Sequence, residues 1–294
     1  MSGVRWLLAR KGPPLFESDI DLATAALHEE LRARNADFVA LVESAAPASR
    51  AGAGRVIVVP AAFHRQFPRF GGDGRVVREV AGSAGFEVET LPLTGTGTVD
   101  ENARVLSERL DGSRDRVILV SLSMGGADVR VALERTPALA DRVHAWINVS
   151  GLLHGSPLLD DLLDARFPSS LLVSGALRAM GGSRRMLPGL SAKPGAPLSA
   201  RFRTPPGLLA VNVVGLPLRE HLTGNAAARH ARLAPLGPND GSTLVPDALA
   251  LPGLTYPVWG ADHYMRAPGV DLLLARLLGL LARVPETDLL GMAA

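Results

Sequence analysis

The chain contains no cysteine. This excludes a disulfide framework, a thiol nucleophile and any thiolate-ligated metal site, and it confines catalytic chemistry to oxygen and nitrogen groups. Lysine is almost missing as well, with Lys11 and Lys193 the only two, so arginine carries nearly all the positive charge. The 31 basic and 29 acidic side chains leave a formal net charge of +2 and no long block of like charge. A nucleic-acid partner is therefore not expected, although the sequence pI is near 9.5. No run approaches the roughly 18 uncharged apolar residues that a spanning helix needs, so no transmembrane segment is expected. The stretch Met1 to Arg10 has one short apolar patch interrupted by Arg5 and Arg10, without an extended apolar core or a small-residue cleavage site. Cytoplasmic residence is the expectation that follows.

What is present describes a globular chain. At 294 residues, 47% hydrophobic and 20% charged, it has room for one large domain with a substantial core. Residues 1–54 read as an appendage: a helical pattern from Glu17 to Glu43, then a small-residue linker from Ala45 to Gly54, with no visible chemistry. The bland reading is a helical arm packed on the main domain or on another subunit. From Arg55 onward strands alternate with helices, which predicts an α/β architecture with a mainly parallel sheet covered on both faces. Strands are expected at 56–60, 87–91, 117–120, 145–149, 208–214 and 255–259, and helices at 74–83, 99–110, 125–135 and 270–284. Thr98 and Glu101 have capping-box spacing, which marks the start of the second of these helices. Between 151 and 206 the pattern dissolves into Leu, Pro, Gly, Ser and Arg, with short helices expected at 158–165 and 170–180. That segment reads as an inserted cap within a main domain spanning 55–284, and 285–294 reads as a tail.

The stretch Ser121-Leu122-Ser123-Met124-Gly125-Gly126 follows directly on the apolar run ending at Val120. A strand that turns sharply around a serine into a helix exposes the serine Oγ, provided small residues flank it two positions away on either side. Here Gly125 is present, and Ser121 stands where the leading glycine is usual. Ser123 is the candidate nucleophile. Ser121 would still lie in the strand, and is read as structural.

A serine hydroxyl becomes nucleophilic when a histidine accepts its proton and a carboxylate orients that histidine. His263, in Trp259-Gly-Ala-Asp-His263, lies in a turn beyond the last predicted strand. Asp240, in Pro238-Asn-Asp-Gly-Ser242, occupies another turn-like segment, and loops of this kind are where catalytic groups concentrate. Asn-Asp-Gly is also simply a good turn, and Asp247 and Asp262 remain rival acids. Among the other histidines only His64 is placed to line the pocket. Acyl transfer further requires backbone N–H donors aimed at the developing oxyanion. Met124 supplies one. The second falls on Ala62 or Phe63, in Pro60-Ala61-Ala62-Phe63-His64 beyond the first strand.

With these motifs, from Arg55 to Val284, the chain resembles the α/β-hydrolase superfamily, and within it the lipase and esterase-like serine hydrolases. The resemblance implies an α/β-hydrolase fold with an inserted cap and a triad in the chain order Ser123, Asp240, His263. It departs from the common pattern at Ser121, at Ala61-Ala62 where many relatives carry His-Gly, and in the long stretch from Val214 to Asp240. The activity implied is hydrolysis of a carboxylic ester through a covalent acyl-enzyme, on a small-molecule ester or acyl substrate, with neither metal nor organic cofactor required. The rival readings are an acyltransferase or thioesterase with the same triad, and a catalytically silent interaction protein on this fold. In the cap, Leu158, Leu159, Leu162, Leu163, Phe167, Leu171 and Leu172 suit either an acyl chain or packing on the domain. Its arginines suit either a solvated surface or an anionic headgroup or acyl-CoA.

Overall fold

The valine- and isoleucine-rich runs become strands because both of their faces find helices to bury against. The computed structural model describes residues 19–48, 54–113 and 115–293. In it β1 (Arg55–Val59), β2 (Glu87–Thr90), β3 (Val117–Leu122), β4 (Val143–Val149), β5 (Ala210–Leu216) and β6 (Leu254–Trp259) form one sheet. The strand order is β2-β1-β3-β4-β5-β6, and every pairing is parallel. Successive side chains on a strand point to opposite faces. Ile57, Val59, Leu119 and Trp146 accordingly enter one core, with α4 (Val99–Asp111) and α5 (Met124–Arg135). Val56, Val58, Val120 and Ile147 enter the other, with α2 (Ala36–Ser44), α3 (Arg75–Ser83) and α10 (Val270–Arg283). Thr98 caps α4 with both halves of the capping box formed.

The order of the strands places the site. The connection from β1 leads outward to β2, whereas β3 lies on the other side of β1, so the direction of winding reverses between β1 and β3. In open α/β sheets a crevice opens beyond the carboxyl ends of the strands at such a reversal. The segments following β1 and β3 are the ones that carry Ala62 and Ser123.

The structure adds detail in the N-terminal arm, at the end of the chain and before Asp240. The helical pattern from Glu17 to Glu43 is two helices, α1 (Ile20–Arg34) and α2, with Glu17 itself outside the described residues. The break is at Asn35, whose side chain accepts from Thr255 N–H at 2.9 Å and donates to Leu31 O at 2.9 Å. It therefore satisfies a donor of edge strand β6, which a continuous helix would leave open. The arm packs on this chain itself: Phe38 and Val42 are in the sheet core, and Ala48 N–H donates to Ala275 O at 2.9 Å. Part of the expected linker, 49–53, lies outside the described residues. The expected tail is a helix, α11 (Glu286–Ala293), anchored by buried Leu289 and by Glu286, which accepts from Arg116. Between β5 and Asp240 the chain forms α8 (Gly224–Leu233), which buries Ala226, His230 and Leu233 on one face.

Residues 151–206 contain α6 (Pro157–Asp164), α7 (Ser169–Ala179) and short 3-10 turns at Arg184–Met186 and Pro188–Leu190. α9 (Val245–Ala248) follows the Asp240 turn. Among the described residues no helix is long and apolar enough to cross a membrane.

Candidate active site

Strand β3 ends at Leu122 and α5 begins at Met124, so Ser123 alone makes the turn. It does so at φ 52° and ψ −117°, a conformation that costs a residue with a side chain on the order of 1–3 kcal/mol. Its backbone is held on both sides: Ser123 N–H donates to Val149 O at 3.0 Å, and Ser123 O accepts from Leu152 N–H at 3.0 Å and Gly126 N–H at 2.9 Å. Gly125 makes the turn possible. A Cβ there would clash with Val59 O, on the backbone of the neighbouring strand. Phe63, Ser150 and Met265 are the other described residues besides glycine with positive φ, and each follows a strand at this end of the sheet.

His263 Nε2 lies 2.8 Å from Ser123 Oγ, and His263 Nδ1 lies 2.8 Å from Asp240 Oδ2. Both His263 and Asp240 are buried. The second oxygen of Asp240 accepts from Ser242 N–H at 2.9 Å and Thr243 N–H at 2.8 Å, so the carboxylate is fixed in orientation and its charge is hydrogen-bonded. Backbone joins the two loops directly, through His263 N–H to Asp240 O at 2.9 Å. Asn239 closes the turn by accepting from Gly241 N–H at 3.0 Å, and Gly241 takes φ 89°. The turn chemistry of Asn-Asp-Gly and the presentation of Asp240 are thus one structure.

The rival acids point elsewhere. Asp262 Oδ2 is bound by Arg266, and its Oδ1 accepts from Tyr264 N–H and Arg266 N–H, each at 3.1 Å. Asp247 faces His154, at 3.9 Å.

The loop after β1 is pinned residue by residue. Ala61 N–H donates to Gly72 O at 2.8 Å, Ala61 O meets His64 Nδ1 at 2.8 Å, and Phe63 N–H donates to Gly95 O at 2.7 Å. Phe63 N–H is therefore occupied. Among the described residues Ala62 N–H and Met124 N–H have no hydrogen-bond partner; Met124 follows Ser123 in the chain, and Ala62 lines the same cavity as Ser123. Burial holds the His64 imidazole below its ordinary range, against the raising effect of its bond to Ala61, so at neutral pH the ring is an uncharged brace of this loop.

Two apolar cavities meet at Ser123. One, of about 550 Å³, runs beneath α6 and α7 and is lined by Leu158, Leu159, Leu162, Leu177, Met186 and Leu190. The other, of about 240 Å³, lies toward α3 and α10 and includes Val77, Val213 and Leu274. The leucines of the expected cap thus divide. Leu158, Leu159 and Leu162 face the cavity, Leu163 packs on the core, and Phe167, Leu171 and Leu172 are exposed. Tyr264 lines both cavities and had not been singled out from the sequence. Its adjacency to His263, in a chain with only two tyrosines, is the available signal. Burial pushes its phenol up from the ordinary value, so it is a neutral wall of the site.

No protein-family model and no curated protein sequence matches this chain. Solved structures do match. A metagenomic carboxyl esterase is 23% identical, with a TM-score of 0.61 over 80% of this chain and 76% of its own. The mature form of a Bacillus licheniformis lipase is 19% identical, with a TM-score of 0.58 over 81% of this chain and 94% of its own. A phospholipase from Legionella pneumophila is 14% identical, with a TM-score of 0.56 over 82% of this chain and 62% of its own. Together with the all-parallel six-stranded sheet and the strand–serine–helix turn at its reversal, these likenesses identify the architecture: the chain has the α/β-hydrolase fold.

Proposed function

We propose that the chain is a serine hydrolase of carboxylic esters. The observation that carries this reading is the continuous hydrogen-bonded line from Ser123 Oγ through His263 to Asp240, with two unpaired N–H groups beside the serine. A histidine whose Nδ1–H is held by a carboxylate presents the lone pair of Nε2 to the serine hydroxyl. On attack, the Ser123 proton passes to His263 Nε2 as Oγ bonds to the acyl carbon. The negative charge that develops on the carbonyl oxygen is received by Met124 N–H and Ala62 N–H, the pinned loop having left Ala62 as the second donor in place of Phe63. Collapse of the adduct breaks the bond to the alcohol oxygen, which takes the proton from His263. Water, deprotonated by the same histidine, then attacks the acyl carbon, the acyl–Ser123 bond breaks as Oγ takes the proton back from His263, and the acid is released. Each preorganised donor contributes roughly 10² to 10³ in rate, because the protein need not reorient it as charge develops.

The segment 151–206 serves as the cap over this site in a domain spanning 55–284, and the cavity of about 550 Å³ beneath α6 receives the acyl chain. Its lining is mainly aliphatic, through Leu158, Leu159, Leu162, Leu177 and Leu190, which favours an alkyl chain, with Asp161, Arg229 and Arg232 the charged residues on its wall. The likeness to a carboxyl esterase and a lipase supports the same chemistry at the level of fold.

A fluorophosphonate probe tests the reading. The expected result is stoichiometric labelling at Ser123 that is abolished in Ser123→Ala. A folded wild-type protein that resists labelling would overturn it.

A further inference from the structure

A third cavity adjoins the site, and it is richer in arginine than the other two and free of carboxylates. It measures about 460 Å³ and shares Ala62, Phe63, Arg229 and Tyr264 with the acyl cavity. Its remaining wall brings in Arg69 and Arg266 and no carboxylate side chain. Three arginines from three separate segments thus line one open space next to the proposed oxyanion donor.

These arginines are not equivalent. Arg266 is held by Asp262, which neutralises it. Arg69 and Arg229 have no carboxylate partner among the described residues: Arg69 lies over the Phe70 ring at 5.2 Å, and Arg229 donates only its Nε–H, to Gly241 O at 2.8 Å. The forked ends of both remain available as donors. Most other arginines with a nearby carboxylate have used it; Arg109 holds Glu89 and Arg232 holds Asp161. His64 adds no charge, because its burial keeps the ring neutral.

Guanidinium groups free of counter-ions match oxyanions in shape and charge, donating two parallel hydrogen bonds to a phosphate or carboxylate. We propose that this cavity is an anion subsite, and that the substrate is an ester whose alcohol portion carries a phosphate or carboxylate bound by Arg69 and Arg229. The inference rests on the esterase reading above. With the acyl chain under α6, the alcohol oxygen leaves on the side of His263, which protonates it, and Tyr264, the next residue in the chain, lines both the acyl cavity and the arginine-lined one. The charged arm of the alcohol then lies where the two guanidiniums are. No arginine of the 151–206 segment lines this cavity.

The test compares two substrates with the same acyl chain, 1-octanoylglycerol and 1-octanoylglycerol 3-phosphate, below their micellar concentrations, in wild type and Arg69→Gln. Arg69 is chosen because Arg229 also braces the Asp240 turn. The ratio of kcat/KM for the phosphate ester over the neutral ester is expected to exceed one in the wild type. It should fall about tenfold in Arg69→Gln, the loss typical of one charge-assisted hydrogen bond. A wild-type ratio at or below one, or a ratio that Arg69→Gln leaves unmoved, overturns the proposal, whereas general damage to the fold lowers both rates and does not move the ratio. Inorganic phosphate separates a substrate group from a free ligand. Competitive inhibition of neutral-ester hydrolysis, weakened in Arg69→Gln, supports the subsite; stimulation would show that the anion binds as a separate ligand and overturns the substrate assignment. Fluorophosphonate labelling of Ser123 is run on both proteins. Labelling retained with an unmoved ratio defeats the anion subsite alone, and labelling absent from folded wild type defeats the esterase reading and this inference with it.

Discussion

The indole N–H of Trp146 donates to Ser121 Oγ at 2.8 Å, inside the sheet. Ser121 in turn meets Asn148 Oδ1 at 3.2 Å, Asn148 Nδ2 donates to Asn212 Oδ1 at 3.1 Å, and Asn212 Nδ2 donates to Leu251 O at 2.8 Å. Ser121, Asn148 and Asn212 stand opposite one another in register across β3, β4 and β5. The serine that replaces the usual elbow glycine is therefore the partner of a buried donor and one end of a buried polar row. A glycine at 121 would leave Trp146 N–H without an acceptor in a dry interior.

Ser121→Gly, the change that restores the common elbow sequence, is accordingly expected to destabilise this protein. Loss of the partner of one buried N–H costs about 1–3 kcal/mol, and glycine within a strand adds roughly 0.5–1 kcal/mol. Urea unfolding should show a lower midpoint at an unchanged slope. A midpoint equal to that of the wild type would show that Trp146 finds another acceptor.

How much of this was legible in the sequence differs from residue to residue. The strands were legible because burial on both faces demands continuous Val and Ile, as in Val56 to Val59, and the start of α4 because Thr98 and Glu101 carry a local hydrogen-bond pattern. Ser123, Asp240 and His263 stood out by their turn contexts and chain order, and the structure places the three within hydrogen-bond reach. The choice between Ala62 and Phe63 was not legible. It depends on Gly95 O, a loop away in the chain, taking one of the two N–H groups. The break at Asn35 was hidden for the same reason, since its bond to Thr255 spans 220 positions. The role of Ser121 required knowing that Trp146 lies beside it on the next strand.

Asp240 and Asp262 differ in what they touch, and the difference predicts their kinetics. Asp240→Asn keeps the shape of the turn but removes the charge that stabilises a protonated His263, and it allows the wrong tautomer of the ring. A fall in kcat of about 10³ to 10⁴ on a short p-nitrophenyl ester is expected, by comparison with the loss when a triad aspartate becomes asparagine elsewhere. Asp262 makes its bonds to Arg266 and to the backbone that follows it, so Asp262→Asn should lower kcat by less than tenfold. Unimpaired turnover in Asp240→Asn would remove Asp240 from the triad.

Asp128, on α5 one turn beyond Met124, is fully enclosed and has a single carboxylate contact, Asn102 Nδ2 at 3.1 Å. Its other oxygen has no partner among the described residues. Burial raises its pKa well above the ordinary carboxylate value, and the bond from Asn102 opposes this only in part. The folded state thus retains a proton that the unfolded chain releases near pH 4. Stability contributed by this group is present below that pH and is lost as pH rises toward the folded-state pKa. Asp128→Asn, which has no proton to lose, should raise Tm relative to wild type at pH 8 and raise it less, or not at all, at pH 4. Differential scanning fluorimetry across this range checks the sign. A variant that is equally displaced at both pH values would indicate that packing, not ionisation, controls the site.

Arg130 ties α5 to the segment proposed as the cap. Its side chain is wholly buried, an arrangement that a guanidinium tolerates only when its donors are satisfied. Arg130 donates to the carbonyls of Leu153, Leu198 and Ala200 and to Glu134 Oε1, and it lies 5.7 Å from the centre of the Phe202 ring. The carbonyls come from the two ends of the 151–206 segment, so one side chain on α5 fastens both of its roots. Arg130→Met preserves much of the aliphatic volume but leaves three acceptors without this donor and Glu134 without its partner. By analogy with breaking a buried ion pair, a loss of roughly 3–5 kcal/mol is expected. The loss should be uneven. Limited proteolysis ought to cut within 151–206 at concentrations of protease that leave the sheet intact, because the roots of the segment are released while the core shared with α3 and α10 contains no residue of it. Cleavage spread evenly along the chain would mean that Arg130 supports the whole fold and not the attachment of this segment.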